Sequence, residues 1–209
     1  MTTKNNNLLS TKEIKIIEVA AKEFLENGYT VASTNIIARD AGVAKGLIFH
    51  YFGNKQALYL RTLAYAFEKT KILIEQKTLA LSTYMDTFDL ISDLITIKAQ
   101  LPFFDTISPP LLLQAFETKL ELSPQIMNAI QELEVLYEKH FYSYLENMQY
   151  YPNMKKIYYN DPEIIIKIFI MLSSAHDYEK QKLIPLSLTG LSTIQLGPYI
   201  NIVKAGIFT

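Results

Sequence analysis

Between positions 45 and 55 the sequence gathers a lysine, an isolated leucine, a histidine and a tyrosine that a short helix would present together, Lys45, Leu47, His50 and Tyr51, with a second lysine, Lys55, just beyond it. Ile48 and Phe52 lie four apart and share a helical face with Val43 near its start, so they suit packing while Lys45, Leu47, His50 and Tyr51 point largely away. The chemistry on offer is duplex recognition. Lys45 can donate to guanine or phosphate, Leu47 can touch a thymine methyl, and His50 and Tyr51 can hydrogen-bond phosphate oxygens. Lys55 falls in the first turn of a new helix, where unpaired N–H groups and the positive dipole end already favour a phosphate. The same leucine and aromatics are also compatible with a small helical unit packing on the rest of the chain.

The elements that must position these residues are marked by caps. Ser10-Thr-Lys-Glu13 is a capping box, followed by Ile14, Ile17, Ala21 and Phe24 at helical spacing, and Asn27-Gly28 supplies a left-handed stop. A short second helix spans about 34–41, with Ser33 or Thr34 as its cap, Ile37 and Ala38 inward and Gly42 as its terminator. Only a tight turn fits between Ala41 and Ala44, so the second and third helices must cross steeply, as in a helix-turn-helix. Asn54 caps a long helix to about Lys77, and further helices are expected at 84–101, 109–121, 124–150, 162–180 and 193–208. No strand alternation and no repeat is present; the fold class is all-α.

Glycine and proline divide the chain. Glycines 28, 42, 46 and 53 crowd the first region, whereas all eight prolines lie at or beyond residue 102. The expected domains are therefore 1–53, a three-helix reading head, and 54–209, a larger helical region for ligand binding and dimerisation. Charge divides it too. Residues 34–61 carry Arg39, Lys45, Lys55 and Arg61 against Asp40, while residues 62–209 carry 12 lysines against 16 carboxylates. A basic segment on an acidic body suits contact with phosphate at one end, although chance clustering would look the same.

Other chemistries find little support. Cysteine is absent, which excludes disulfides and thiolate sites and makes a reducing cytoplasm the expected compartment. The polar Met1–Ser10 stretch lacks the apolar run of a signal peptide, and Ile164–Ala175, interrupted by Lys167, is short of the roughly 20 residues that cross a bilayer. His140 and His176 are a poor metal set, and Ser173, Ser174, His176 and Asp177 are too crowded on one helix for a nucleophile, base and orienter. Neither enzyme activity, metal nor cofactor is expected.

The residues Gly28-Tyr29 and Ser33-Thr34-x-x-Ile37-Ala38-x-x-Ala41-Gly42-Val43-Ala44-Lys45-Gly46-x-Ile48-Phe49-x-Tyr51-Phe52-x-Asn54-Lys55-x-x-Leu58 resemble the DNA-binding signature of the TetR family of one-component regulators. The resemblance spans about 12–60. It implies a homodimer on a palindromic operator of double-stranded DNA, released or rearranged by a ligand held in the C-terminal region. By motif position it assigns DNA contact to Thr34 and Asn35, to Lys45, Gly46, Leu47, Phe49, His50 and Tyr51, and to Lys55. Two positions depart from the pattern. Phe49 stands where tyrosine is common, losing a hydroxyl, and Ala44 where serine is frequent, which shifts weight onto Lys45, Tyr51 and Lys55.

The resemblance also implies dimerisation through the last two helices, and the segments 162–180 and 193–208 are apolar on most of their surface, as an interface or the interior of one subunit requires. The 124–150 helix mixes apolar bulk with hydroxyl and imidazole groups along one face. A pocket for a largely apolar small molecule is expected from Leu133, Tyr137, His140 and Tyr144 there, with walls from Phe88, Ile91, Ile95, Phe103, Phe104, Leu112 and Phe116. A packed aromatic core uses the same residues. Two other functions fit the sequence: a DNA binder without a ligand or governed by a partner, and a helical carrier or enzyme with a vestigial head.

Overall fold

The computed structural model describes residues 9–79, 87–146 and 167–173. Among them every element is helical and there is no strand: α1 (Thr11–Val31), α2 (Thr34–Ala41), α3 (Lys45–Phe52), α4 (Lys55–Thr78), α5 (Thr87–Phe104), α6 (Ser108–Thr118), a 3-10 turn over Lys119–Glu121 and α7 (Pro124–Glu146), with a helical stretch over 167–173. None of the described helices is long and apolar enough to cross a membrane. The packing forms two units, residues 1–73 with 101–137 and residues 74–100 with 138–209.

The caps act where the sequence places them. Ser10 accepts from the Glu13 N–H at 3.2 Å, and Glu13 accepts from the Ser10 N–H at 2.8 Å. Ser33 accepts from the Asn35 N–H at the start of α2. Gly42 ends α2 at φ 67°, with Val43 N–H donating to Ala38 and Gly42 N–H to Arg39, the paired bonds that close a helix through a left-handed residue. Asn54 accepts from the Ala57 N–H at 2.8 Å and so caps α4.

Several boundaries differ from expectation. At Gly28 (φ 67°, ψ 168°) the expected stop is instead a kink, and one more turn carries α1 to Val31. Expected to end at 101, α5 runs on to Phe104, because Pro102 sits in its last turn, where the lost N–H costs one bond without ending the helix. The 109–121 segment divides into α6 and the 3-10 turn. The 193–208 helix and most of the 162–180 helix lie outside the described residues, as do His176 and Asp177.

In the first unit Ile16, Ile17, Ala20 and Phe24 of α1, Ile37 and Ala41 of α2, Ile48 of α3 and Leu58 and Leu63 of α4 are all buried, with α1 packed on α2 and α2 on α3. Each large aliphatic or aromatic side chain so buried stabilises the head by ~1.5–3 kcal/mol. Farther along the unit, the Gln114 side-chain amide on α6 donates to the Leu25 carbonyl of α1 at 3.1 Å. Asp105 caps α6 by accepting from the Ile107 and Ser108 N–H groups, each at 2.9 Å. Burial pushes its carboxyl up, yet those two donors, helped by Lys69, outweigh it and hold it below the usual range.

The second unit buries Ile91, Leu94 and Ile95 of α5, Phe141 of α7, and Phe169 and Leu172 of the 167–173 stretch. Lys98 donates to Glu138 at 3.2 Å and to the Ser173 hydroxyl at 3.3 Å, so its charge enters this apolar unit with partners. Buried threonines are satisfied locally: Thr62, Thr70 and Thr78 donate to the carbonyls of Leu58, Ala66 and Ile74, one turn back.

Candidate nucleic-acid interface

The reading surface is set by one buried residue. Ile48 is fully enclosed and anchors α3, with Val43 and Phe52 half-buried beside it, as the packing face predicted from sequence requires. Because successive helical residues are about 100° apart, that anchor turns the opposite side outward. Lys45, Gly46, Phe49 and His50 are exposed, while Leu47 and Tyr51 are half-buried at the edges. Asn35 is exposed and Thr34 half-buried at the start of α2. Thus every residue assigned to DNA contact keeps some accessible surface on the head.

Side-chain contacts organise this surface. The Lys45 ammonium lies 5.7 Å from the Phe49 ring centroid, one turn along α3. His50 and Tyr51 meet edge to face at 5.5 Å, and Tyr51 meets Phe52 at 6.2 Å. Arg39 pairs with its neighbour Asp40 at 2.6 Å, so within the basic segment its charge is locally offset.

Lys55 occupies the N-terminal turn of α4 but is not a loose cation. Its ammonium donates to the Thr30 carbonyl at 3.0 Å and lies 5.1 Å from the Tyr29 ring. Burial lowers its pKa, with the Glu23 carboxylate acting in the opposite sense. An ammonium has three donors, and only one reaches Thr30, so two remain for a phosphate. Around this latch Phe24, Tyr29 and Tyr59 cluster, with Tyr59 edge-on to Phe24 at 4.8 Å and tilted against Tyr29 at 4.9 Å.

Sequence reasoning missed Glu23. It is buried, and its carboxylate accepts from the Ser33 N–H at 2.8 Å, pinning the turn that launches α2. The signal was available: a carboxylate between Ala20 and Phe24 on the apolar face of α1 needs a buried donor.

The expected pocket residues fall in both units. In the first unit Phe116 and Tyr137 touch edge to face at 5.6 Å and Leu112 is buried, with Leu133 half-buried. Phe103 and Phe104 are 59% and 45% exposed. Ile91 and Ile95 are closed in the second unit, to which the half-buried His140 also belongs. The side chains of Phe88 and Tyr144 lie outside the described residues. An open cleft of about 500 Å³ in the first unit is lined by Glu18, Lys22, Tyr65, Lys69 and the Phe104–Ser108 turn, and takes only Phe104 from the expected set.

Residues 16–62, the span from the core of α1 into α4, match the family model of the bacterial regulatory proteins, tetR family. The N-terminal domain belongs to the TetR family. An HTH-type transcriptional regulator of Bacillus subtilis, YuxN, itself uncharacterized, is 40% identical over 62 residues, 30% of this chain and 21% of the relative. That likeness covers about a fifth of the relative's length and falls short of its remainder. The TetR fold extends further than the sequence likeness. The TetR-family regulator PfmR of Thermus thermophilus superimposes with a TM-score of 0.56 at 17% identity, over 90% of this chain and 96% of that one. A regulator from Saccharomonospora viridis, solved in complex with choline, gives 0.66 at 17% identity over 96% and 100%.

Proposed function

We propose that this chain is a DNA-binding transcription regulator that acts as a homodimer on a palindromic operator and represses until a small molecule is bound. One observation carries the reading: in a TetR-type head, Ile48 is fully buried and turns Lys45, Gly46, Phe49 and His50 of α3 outward. A helix so presented fits the major groove, while Lys55 and the N–H groups opening α4 meet the backbone. Thr34, Asn35, Leu47 and Tyr51 complete the contact set.

Two heads placed about 34 Å apart read successive major grooves, which a single short helix cannot do. Dimerisation through the last two helices is supported by Ile170 and Met171, apolar side chains that are 42% and 52% exposed on the 167–173 stretch. In this reading residues 1–53 bind DNA, residues 54–209 sense and dimerise, and the protein works in the cytoplasm. A fold shared with a choline-bound regulator supports a small-molecule effector, for which the expected contacts are Leu112, Phe116, Leu133 and Tyr137 with Phe103 and Phe104 in the first unit, and Ile91, Ile95 and His140 with Phe88 and Tyr144 in the second.

The test is enrichment of duplexes from a randomised pool by the full chain, followed by gel shifts on the DNA upstream of its own gene with and without candidate ligands. Enrichment of a two-fold symmetric sequence bound by a dimer is expected. Failure to enrich any sequence overturns the reading.

A further inference from the structure

The exposed phenylalanine at the centre of the reading helix has no hydroxyl to give to a phosphate, yet its ring is 39% accessible. What it offers is a face. The Lys45 ammonium sits 5.7 Å from the centre of that face, one helical turn away. A ring face is electron-rich and attracts a cation, most effectively where competing water is thinned.

Lys45 needs such a partner. It is the first residue of α3, where the helix dipole is positive and four N–H groups lack intrahelical acceptors. Its predecessor Ala44 has no side chain that could cap those groups. An ammonium at that point is repelled by its own helix, and a free lysine side chain there would spread over many rotamers in solvent. Among the described residues Lys45 has no carboxylate or carbonyl partner in hydrogen-bond range; the Phe49 ring is its contact. His50 and Tyr51, the neighbouring rings, engage each other instead.

We infer that Phe49 is a positioning residue for Lys45, its ring holding the lysine in the pose in which it meets DNA. The inference rests on the DNA-binding reading above and adds to it how the exposed cation is aimed. Preorganising a flexible lysine reduces the ordering cost of binding, so the ring raises affinity through Lys45, in addition to any DNA contact of its own. Were the ring merely an apolar contact to DNA, its effect would not depend on Lys45.

The experiment uses the full chain and the tightest duplex that it enriches from a randomised pool. Phe49 is replaced by mono-, di- and trifluorinated phenylalanine, which keep shape and apolar area while draining the ring face. Affinity should fall stepwise with fluorination, and Phe49→Leu should bind about two- to fivefold more weakly per reading head, the ratio for an exposed cation–ring contact. Phe49→Tyr, which keeps the ring, should not weaken binding. In a Lys45→Gln background the fluorination series should become flat. Affinity independent of fluorination, or a series unchanged by Lys45→Gln, overturns the inference while leaving the DNA-binding reading in place. A pool from which nothing is enriched overturns both.

Discussion

Replacing Lys55 with methionine separates two roles that the geometry gives to one ammonium. The substitution keeps the length of the stem and removes the donor to the Thr30 carbonyl at 3.0 Å and the cation 5.1 Å from the Tyr29 ring. A hydrogen bond from a charged donor contributes ~1.5–3 kcal/mol when shielded, and an exposed cation–ring contact ~0.5–1 kcal/mol. Because Lys55 is only half-buried, solvent screens both, and about 1–2 kcal/mol in total is expected. For a chain of this length that lowers the melting temperature by about 2–8 °C. The second role is read on DNA. Removing one phosphate neutralisation reduces the slope of log affinity against log salt by about 0.9, so the reduction is about 0.9 per reading head. Lys55→Arg, which keeps the charge, should preserve the slope. Calorimetry and salt-titrated binding measure the two arms independently. A variant that melts with the wild type would refute the latch onto Thr30 and Tyr29, and one with an unchanged salt slope would refute the phosphate clamp.

Tyr59 is buried, and burial, with Tyr29 beside it, raises its pKa to about 12. The unfolded chain therefore ionises this phenol first, near pH 10, so stability should fall as pH rises from about 10 towards 12, and urea midpoints of Tyr59→Phe should fall less over that range. Gly42→Ala forces a Cβ into φ 67°, although the nearest atom, the Lys15 ammonium, is 3.6 Å from it. The cost is thus mainly backbone, ~1 kcal/mol by urea denaturation, and an unchanged midpoint would contradict it. Leu47→Ala should relax preference at one base pair by about fivefold, the lower end of single-pair costs, in a repeat of the duplex selection. Uniform weakening across all duplexes would contradict base readout by Leu47.

The reading head was legible because its determinants are local. Ser10 with Glu13, Ser33, Gly42 and Asn54 act on groups within a few residues, and each bonds or turns as its type demands. Fold class followed from helical spacing for the same reason. Contacts between distant residues were not legible. Glu23 reaches Ser33 across a turn, Gln114 reaches Leu25 across most of the first unit, and Lys98 meets Glu138 and Ser173 from three separate segments. No periodicity announces such pairs, since a polar residue on an apolar stripe states a need without naming its partner. Phe103 and Phe104, which the sequence reading left beyond the end of the fifth helix, lie inside α5 and are exposed.

By itself, the sequence determined an all-α fold class with a TetR-type head, the limits of α2, and which side of α3 turns outward. Short-range capping and the 3.6-residue period suffice for that, because they act before the chain has folded onto itself. Tertiary structure decided how the outward residues are held. It placed Lys45 against the Phe49 ring, engaged Lys55 with Thr30 and Tyr29, and buried Glu23 beneath the turn into α2. The reason is that a cation's partner depends on which ring or carbonyl packing brings within a few ångströms, and only the assembled core selects it.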